Sequence, residues 1–160
     1  RLIDTGCLVV AVGGGGIPVV RSGRGHLSGV EAVIDKDRAS ALLAARLKAD
    51  YFIISTDADR VYVNYKKPDQ RPLGWVTVPE VEAYYREGQF PPGNMGPKVQ
   101  SALRFLRDGG REVIITSYDR LVDAVRGDAG THIVPAMGSA LIAGDCRQAT
   151  GADPLAQGRR

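Results

Sequence analysis

The sequence predicts an α/β protein built on a mainly parallel sheet, and three observations carry that prediction. Short β-prone apolar runs alternate with stretches whose apolar residues recur at helical spacing. Most of the runs lead into loops holding glycine or carboxylate, and open parallel sheets gather their ligands at such strand ends. The chain has 160 residues at 44% hydrophobic content, which suits one domain with an ordinary core.

Taken in order, residues 8–12 (LVVAV) read as a buried strand that stops at the glycine run 13–16. From Asp37, Ala39, Leu42, Leu43 and Leu47 keep helical spacing, with Arg38, Arg46 and Lys48 on the other side. Residues 51–55 (YFIIS) form the next strand candidate, followed by Thr56-Asp57-Ala58-Asp59 and a short β-prone run at 61–63. Residues 64–78 carry Pro68, Pro72 and Gly74 and predict a surface excursion outside the core. Residues 79–86 read as a short helix. The loop 89–98 (QFPPGNMGPK) leads into another, with Pro97 expected as its first residue. Val99, Ala102, Leu103 and Leu106 mark that helix's buried face, and Gly109-Gly110 end it. A strand at 112–116, a helix at 118–126 and a strand at 131–134 complete the alternation. Residues 1–135 are expected to form the folded part. Residues 136–160, without periodicity, are expected to be a disordered tail.

Composition narrows the function classes. The formal net charge of +3 comes from scattered charges of both signs and does not mark a nucleic-acid binder; small anions are the better partner. Cys7 and Cys146 show neither metal spacing nor a disulfide framework, so a reducing, cytoplasmic setting is expected. No run reaches the roughly 18 apolar residues of a membrane span.

Lys36 and Lys98 are the most informative positions. Each falls at or just before a predicted helix start, where the helix dipole disfavours a cation by about 0.3 to 1 kcal/mol unless an anion is near. A bound phosphate removes the conflict, since free backbone N–H groups and an ammonium then act together. The alternative for either residue is a solvated lysine on a loop. Asp37 reads both as a helix N-cap and as a carboxylate that orients the two lysines. Asp57 and Asp59 suit a ribose hydroxyl, a magnesium ion or plain turns. Residues 13–16 let backbone amides approach a ligand closely, although Pro18 stands where a GxGxxG motif needs its last glycine. The Gly93–Lys98 string likewise departs from GxxxxGK[ST], so any nucleotide site uses another architecture. Tyr62 and Tyr65 suit stacking on a base or simple packing. His26 and His132, with no acid or nucleophile at catalytic spacing, read as structural or surface residues.

Several strings together resemble carbamate kinase, within the amino acid kinase family. They are VVAVGGGGIPVV (9–20), GVEAVIDKDRASALLA (29–44), the TDAD and VYVNYKKPDQ stretches between 56 and 70, GQFPPGNMGPKV (88–99), VIITS (113–117) and GTHIV (130–134). The resemblance implies a three-layer α/β/α fold of the acetylglutamate kinase-like type, here incomplete, with the N-terminal half lacking. It implies reversible phosphoryl transfer between ATP and carbamate, ATP-forming in arginine catabolism, with magnesium as the metal and a homodimer as the full-length state. By similarity Lys36 and Lys98 contact the transferred phosphoryl and nucleotide phosphates, and Asp37 holds them. Thr56, Asp57 and Tyr62 line the nucleoside pocket, Met95, Gly96 and Pro97 lie beside the phosphates, and Gly14, Gly15 and Gly16 face the carbamate. No residue is assigned as a metal ligand. On this resemblance the chain is expected to bind ATP or ADP and to be inactive alone. The alternatives are a noncatalytic fragment, or a kinase of another small acid or phosphate such as acetylglutamate or uridylate.

Overall fold

The computed structural model describes residues 2–136, and the expected tail, Ala136 apart, lies outside the described residues, as does Cys146. Its centre is a four-stranded sheet in the order β3-β7-β8-β6, formed by Tyr51–Thr56 (β3), Trp75–Thr77 (β6), Glu112–Ser117 (β7) and Thr131–Val134 (β8). Two antiparallel ribbons are separate from it in hydrogen bonding: Val19–Arg21 (β1) with Leu27–Gly29 (β2), and Val61–Val63 (β4) with Arg71–Leu73 (β5). The helices are Lys36–Leu47 (α1), Val78–Arg86 (α2), Met95–Arg107 (α3) and Leu121–Val125 (α4).

Position in the sheet explains burial along its strands. β7 lies inside, and all six of its residues are buried; β3, at the edge, alternates, burying Phe52 and Ile54 while Tyr51, Ile53 and Ser55 face out. Helix α3 presents Val99, Ala102, Leu103, Phe105 and Leu106 to Val113, Ile115 and Ile133, and Phe52 meets Phe105 with ring centroids 5.5 Å apart. Burying each large side chain of this face contributes about 1.5 to 3 kcal/mol. As expected, α3 ends at the paired glycines: Gly109 takes φ +100°, and Gly110 N–H donates to Phe105 O at 3.0 Å.

The central sheet is mainly parallel, as expected: β3 pairs β7 and β6 pairs β8 in parallel, while β8 runs antiparallel to β7. The connector 118–130 holds a single 3-10 turn and the five-residue α4, and Gly127 and Gly130 at positive φ turn the chain back. That is too little for the crossover a parallel return needs. Within 64–78 lie not only surface but core, because Leu73 and Val76 are buried and β6 forms a sheet edge. The hydroxyl of Thr131 secures this region, accepting from Val61 N–H at 2.8 Å and donating to Leu73 O at 2.5 Å.

Residues 8–12 form no strand. Leu8 and Val10 are fully exposed, and Val12 takes φ +72°, because among the described residues no neighbouring strand offers a ladder to apolar side chains that propensity alone would extend. Helix α3 begins at Met95, two residues before Pro97, which sits in the first turn where its missing N–H leaves no intrahelical bond unmade.

Candidate functional site

Both α1 and α3 run into their strands through tight turns, α1 into β3 and α3 into β7, so each helix starts beside the carboxyl end of the strand that follows it. The starts of α1 and α3 meet there. Asp35, not Asp37, caps α1, its carboxylate accepting from Arg38 N–H at 2.9 Å. That frees Asp37, in the first turn, to accept from the ammonium of Lys98 at 3.0 Å, with each side chain only 12% exposed. A second bridge lies beside it: Arg38 donates to Gln100 Oε1 at 2.6 Å, and Gln100 donates to the Tyr85 hydroxyl. Lys36, the chain neighbour of Asp37, is exposed and has no side-chain partner among the described residues.

The glycine run reaches the same place through one residue. A Cβ on Gly15, which takes φ +118°, would stand 2.5 Å from Ile34 O, so only glycine permits this loop to lie against the chain entering α1. Gly14 and Gly16 have open space where a side chain would go, so packing does not demand glycine at either. At the other helix, Gly96 N–H donates to Pro91 O at 3.0 Å, and a Cβ there would approach that oxygen to 2.8 Å. Pro97 accepts a hydrogen bond from Ser101 at its carbonyl.

One turn before Lys98, Met95 lines a cavity of about 350 Å³ shared with Asp57, Asp59, Arg60, Tyr62 and Phe90. Its size falls in the range of ligand pockets, about 300 to 1,000 Å³. Thr56 is outside its lining and donates from its hydroxyl to Asp57 at 3.0 Å. The Tyr62 hydroxyl donates to Asp59 at 3.0 Å, and burial, then this carboxylate, raise the phenol above the ordinary tyrosine range. The structure therefore brings Asp57, Tyr62 and Met95 into one cavity and sets Asp37 and Lys98 beside it on the first turns of α1 and α3. Lys36, Gly14, Gly15, Gly16, Gly96 and Pro97 do not line the cavity.

Among the described residues no group of three His, Cys, Asp or Glu side chains could hold a metal ion. Asp57 supplies one carboxylate beside the cavity, a donor set that fits a magnesium ion carried mainly by phosphate oxygens and water.

Sequence reasoning missed one buried cluster. His132 lies with Nδ1 2.5 Å from Glu112 Oε1 and Nε2 2.9 Å from Ala129 O, both side chains under 5% exposed, and Trp75 stacks on the imidazole at 4.1 Å. A carbonyl only accepts, so Nε2 carries a proton. The acid is 20 residues from the histidine in the chain, and only the β7–β8 pairing brings them together. Glu112 begins β7, at the end of that strand away from the helix starts.

The fold and site define an α/β protein with a mainly parallel sheet and two lysine-bearing helix starts joined at one rim. The amino acid kinase family matches residues 1–117, and the chain belongs to that family. The carbamate kinase of Thermoplasma volcanium is 54% identical over 135 residues, covering 84% of this chain and 44% of the relative. That of Thermococcus kodakarensis is 51% identical over 133 residues, covering 83% of this chain and 42% of the relative. A carbamate kinase from Giardia lamblia bound to AMP-PNP matches with a TM-score of 0.80 at 46% identity, covering 84% of this chain and 42% of that one. The chain thus spans less than half the length of these relatives. Their fold is the amino acid kinase α/β fold that the resemblance implied, here in part.

Proposed function

We propose that the chain is the nucleotide-binding part of a carbamate kinase, a phosphotransferase that moves a phosphoryl group between ATP and carbamate. The observation that carries this reading is the Asp37–Lys98 pair, which ties the N-terminal turns of α1 and α3 together beside the cavity. Lys36 and Lys98 both stand in the first turns of helices joined by this pair, where the helix dipoles favour an anion, and in this reading both ammonium groups serve one polyphosphate.

In this reading the cavity takes the nucleoside of ATP or ADP, with Asp57 and Tyr62 on its wall, Thr56 behind Asp57 and Met95 at the turn towards the phosphates. Gly96 and Pro97 let the α3 start approach those phosphates, while Gly14, Gly15 and Gly16 face the carbamate. Phosphoryl transfer asks little covalent chemistry of the protein and gains from position and charge neutralisation. Lys98, oriented by Asp37, and Lys36 neutralise the equatorial oxygens as the phosphoryl group passes from the nucleotide to the carbamate oxygen. Magnesium, when bound, would screen the polyphosphate, with Asp57 the carboxylate at hand. The reaction is reversible, ATP formation in arginine catabolism is its direction in the cell, and the compartment is the cytoplasm. The full-length state is a homodimer, and the chain by itself binds nucleotide without turnover.

Calorimetric titration of magnesium–ADP into the chain tests the reading. Saturable binding that weakens about tenfold or more in Lys98→Ala is expected, since a hydrogen bond to a charged group contributes about 1.5 to 3 kcal/mol. Absence of binding at millimolar nucleotide would overturn it.

A further inference from the structure

We propose that Asp59 is a positioning residue for nucleotide specificity: its carboxylate anchors the Tyr62 phenol so that the tyrosine ring stands as a fixed wall against which a planar nucleobase stacks. The inference rests on the nucleotide reading above and assigns a role within it to a residue that the sequence left among three alternatives.

The geometry gives Asp59 a partner inside the wall itself. Its Oδ1 accepts from the Tyr62 hydroxyl at 3.0 Å, and both residues line the same cavity. Tyr62 is the middle residue of β4, whose other two residues, Val61 and Val63, are buried on the opposite face. Those anchors hold the backbone, and the Asp59 bond holds the far end of the ring. A tyrosine pinned at both ends has little torsional freedom left to lose when a base arrives, and preorganisation of this kind strengthens binding. The ring pair extends the wall, with Tyr65 6.2 Å from Tyr62 centroid to centroid. Phe90 and Met95 add apolar lining. Burial raises the phenol above the ordinary tyrosine range, so at neutral pH it remains the donor this arrangement needs.

The chemistry recognised is a flat aromatic base, and the phosphates are held elsewhere. Binding of magnesium–ADP and of magnesium–pyrophosphate should therefore be measured calorimetrically on the wild-type chain and on Asp59→Ala, Asp59→Asn and Tyr62→Phe. Losing the anchor in Asp59→Ala or Tyr62→Phe should weaken ADP about threefold to tenfold while pyrophosphate stays within about twofold. Asparagine keeps an oxygen acceptor, so Asp59→Asn should recover wild-type ADP affinity within about twofold. Ultraviolet titration of the phenols should show one tyrosine ionising at lower pH in Asp59→Ala than in wild type. Tyr62→Phe keeps the ring and the fold should Asp59→Ala lose its thermal transition.

ADP affinity unchanged in Asp59→Ala and Tyr62→Phe overturns the inference and leaves the nucleotide reading standing. Equal loss of ADP and pyrophosphate, or failure of asparagine to rescue, also overturns it, because either result makes the charge of Asp59 the active feature. A wild-type chain that binds neither ligand removes the nucleotide reading, and the inference with it.

Discussion

The ammonium of Lys98 donates to the carboxylate of Asp37 at 3.0 Å across 61 residues of chain, and this one contact joins the first turn of α3 to the first turn of α1. With both side chains 12% exposed, water screens the pair weakly.

Asp37→Asn should lower stability by about 1 to 3 kcal/mol, because it leaves a largely buried ammonium with a weaker partner. The double variant Asp37→Leu/Lys98→Met should lose less than the sum of its two single changes. Urea denaturation of the four proteins, arranged as a double-mutant cycle, measures the difference. Strict additivity would show that the two helix starts are not coupled through this pair.

Gly15 and Gly14 should respond oppositely to alanine. Gly15→Ala sets a Cβ against Ile34 O and forces a residue with a side chain into φ +118°, whereas Gly14 has open space around it. Gly15→Ala should raise hydrogen exchange at the amides of residues 30–36, reflecting local strain of about 1 to 3 kcal/mol. Gly14→Ala should leave exchange there unchanged.

Glu112→Ala should destabilise the fold by about 3 to 5 kcal/mol, since the imidazole of His132 is left without its partner inside the sheet. Trp75 is the chain's single tryptophan and stacks on that ring. Its fluorescence therefore reports the cluster directly and should change in Glu112→Ala before the urea transition begins. Glu112→Gln, which keeps an oxygen acceptor, should lose less.

The start of α2 carries a pH-dependent contribution. Both the backbone N–H and the hydroxyl of Thr77 donate to Glu80 Oε2, at 2.7 and 2.6 Å, and these bonds hold the carboxyl below the ordinary glutamate range. The folded state binds this proton more weakly than the unfolded chain. The stabilisation is complete above the ordinary glutamate range and is lost as pH falls through the lowered folded value. Glu80 is exposed, so the effect amounts to a few tenths of a kcal/mol after solvent screening. Thermal melts of wild type and Glu80→Gln should differ at neutral pH and converge in acid below that value.

Much of the fold was legible because its signals are local. The continuous apolar runs of β3 and β7 and the 3.6-residue spacing of Val99, Ala102, Leu103 and Leu106 are signals within single elements, whereas the one-sided burial of β3 follows from its edge position, which its sequence does not mark. Gly109 announced the end of α3 for the same kind of reason, a backbone conformation that glycine adopts without strain. The 8–12 run misled because β propensity describes a fit to neighbouring strands, and the described residues supply none. Leu73 and Val76 were hidden behind Pro72 and Gly74, turn residues that here border short strands.

By itself the sequence determined the helices at 36–47, 78–86 and 95–107 and the strands at 51–56, 61–63, 112–117 and 131–134 to within a few residues, and that Lys36 and Lys98 stand at helix starts after loops of glycine or carboxylate. Only the tertiary structure decided the partnerships: Asp35 as the cap that frees Asp37 for Lys98, Asp59 as the acceptor for Tyr62, Ile34 as the reason for glycine at 15, and Glu112 as the acid beside His132. Propensity and periodicity act over a few residues, whereas a side chain's hydrogen-bond partner depends on where separate elements dock, and that is set by burial of the whole core.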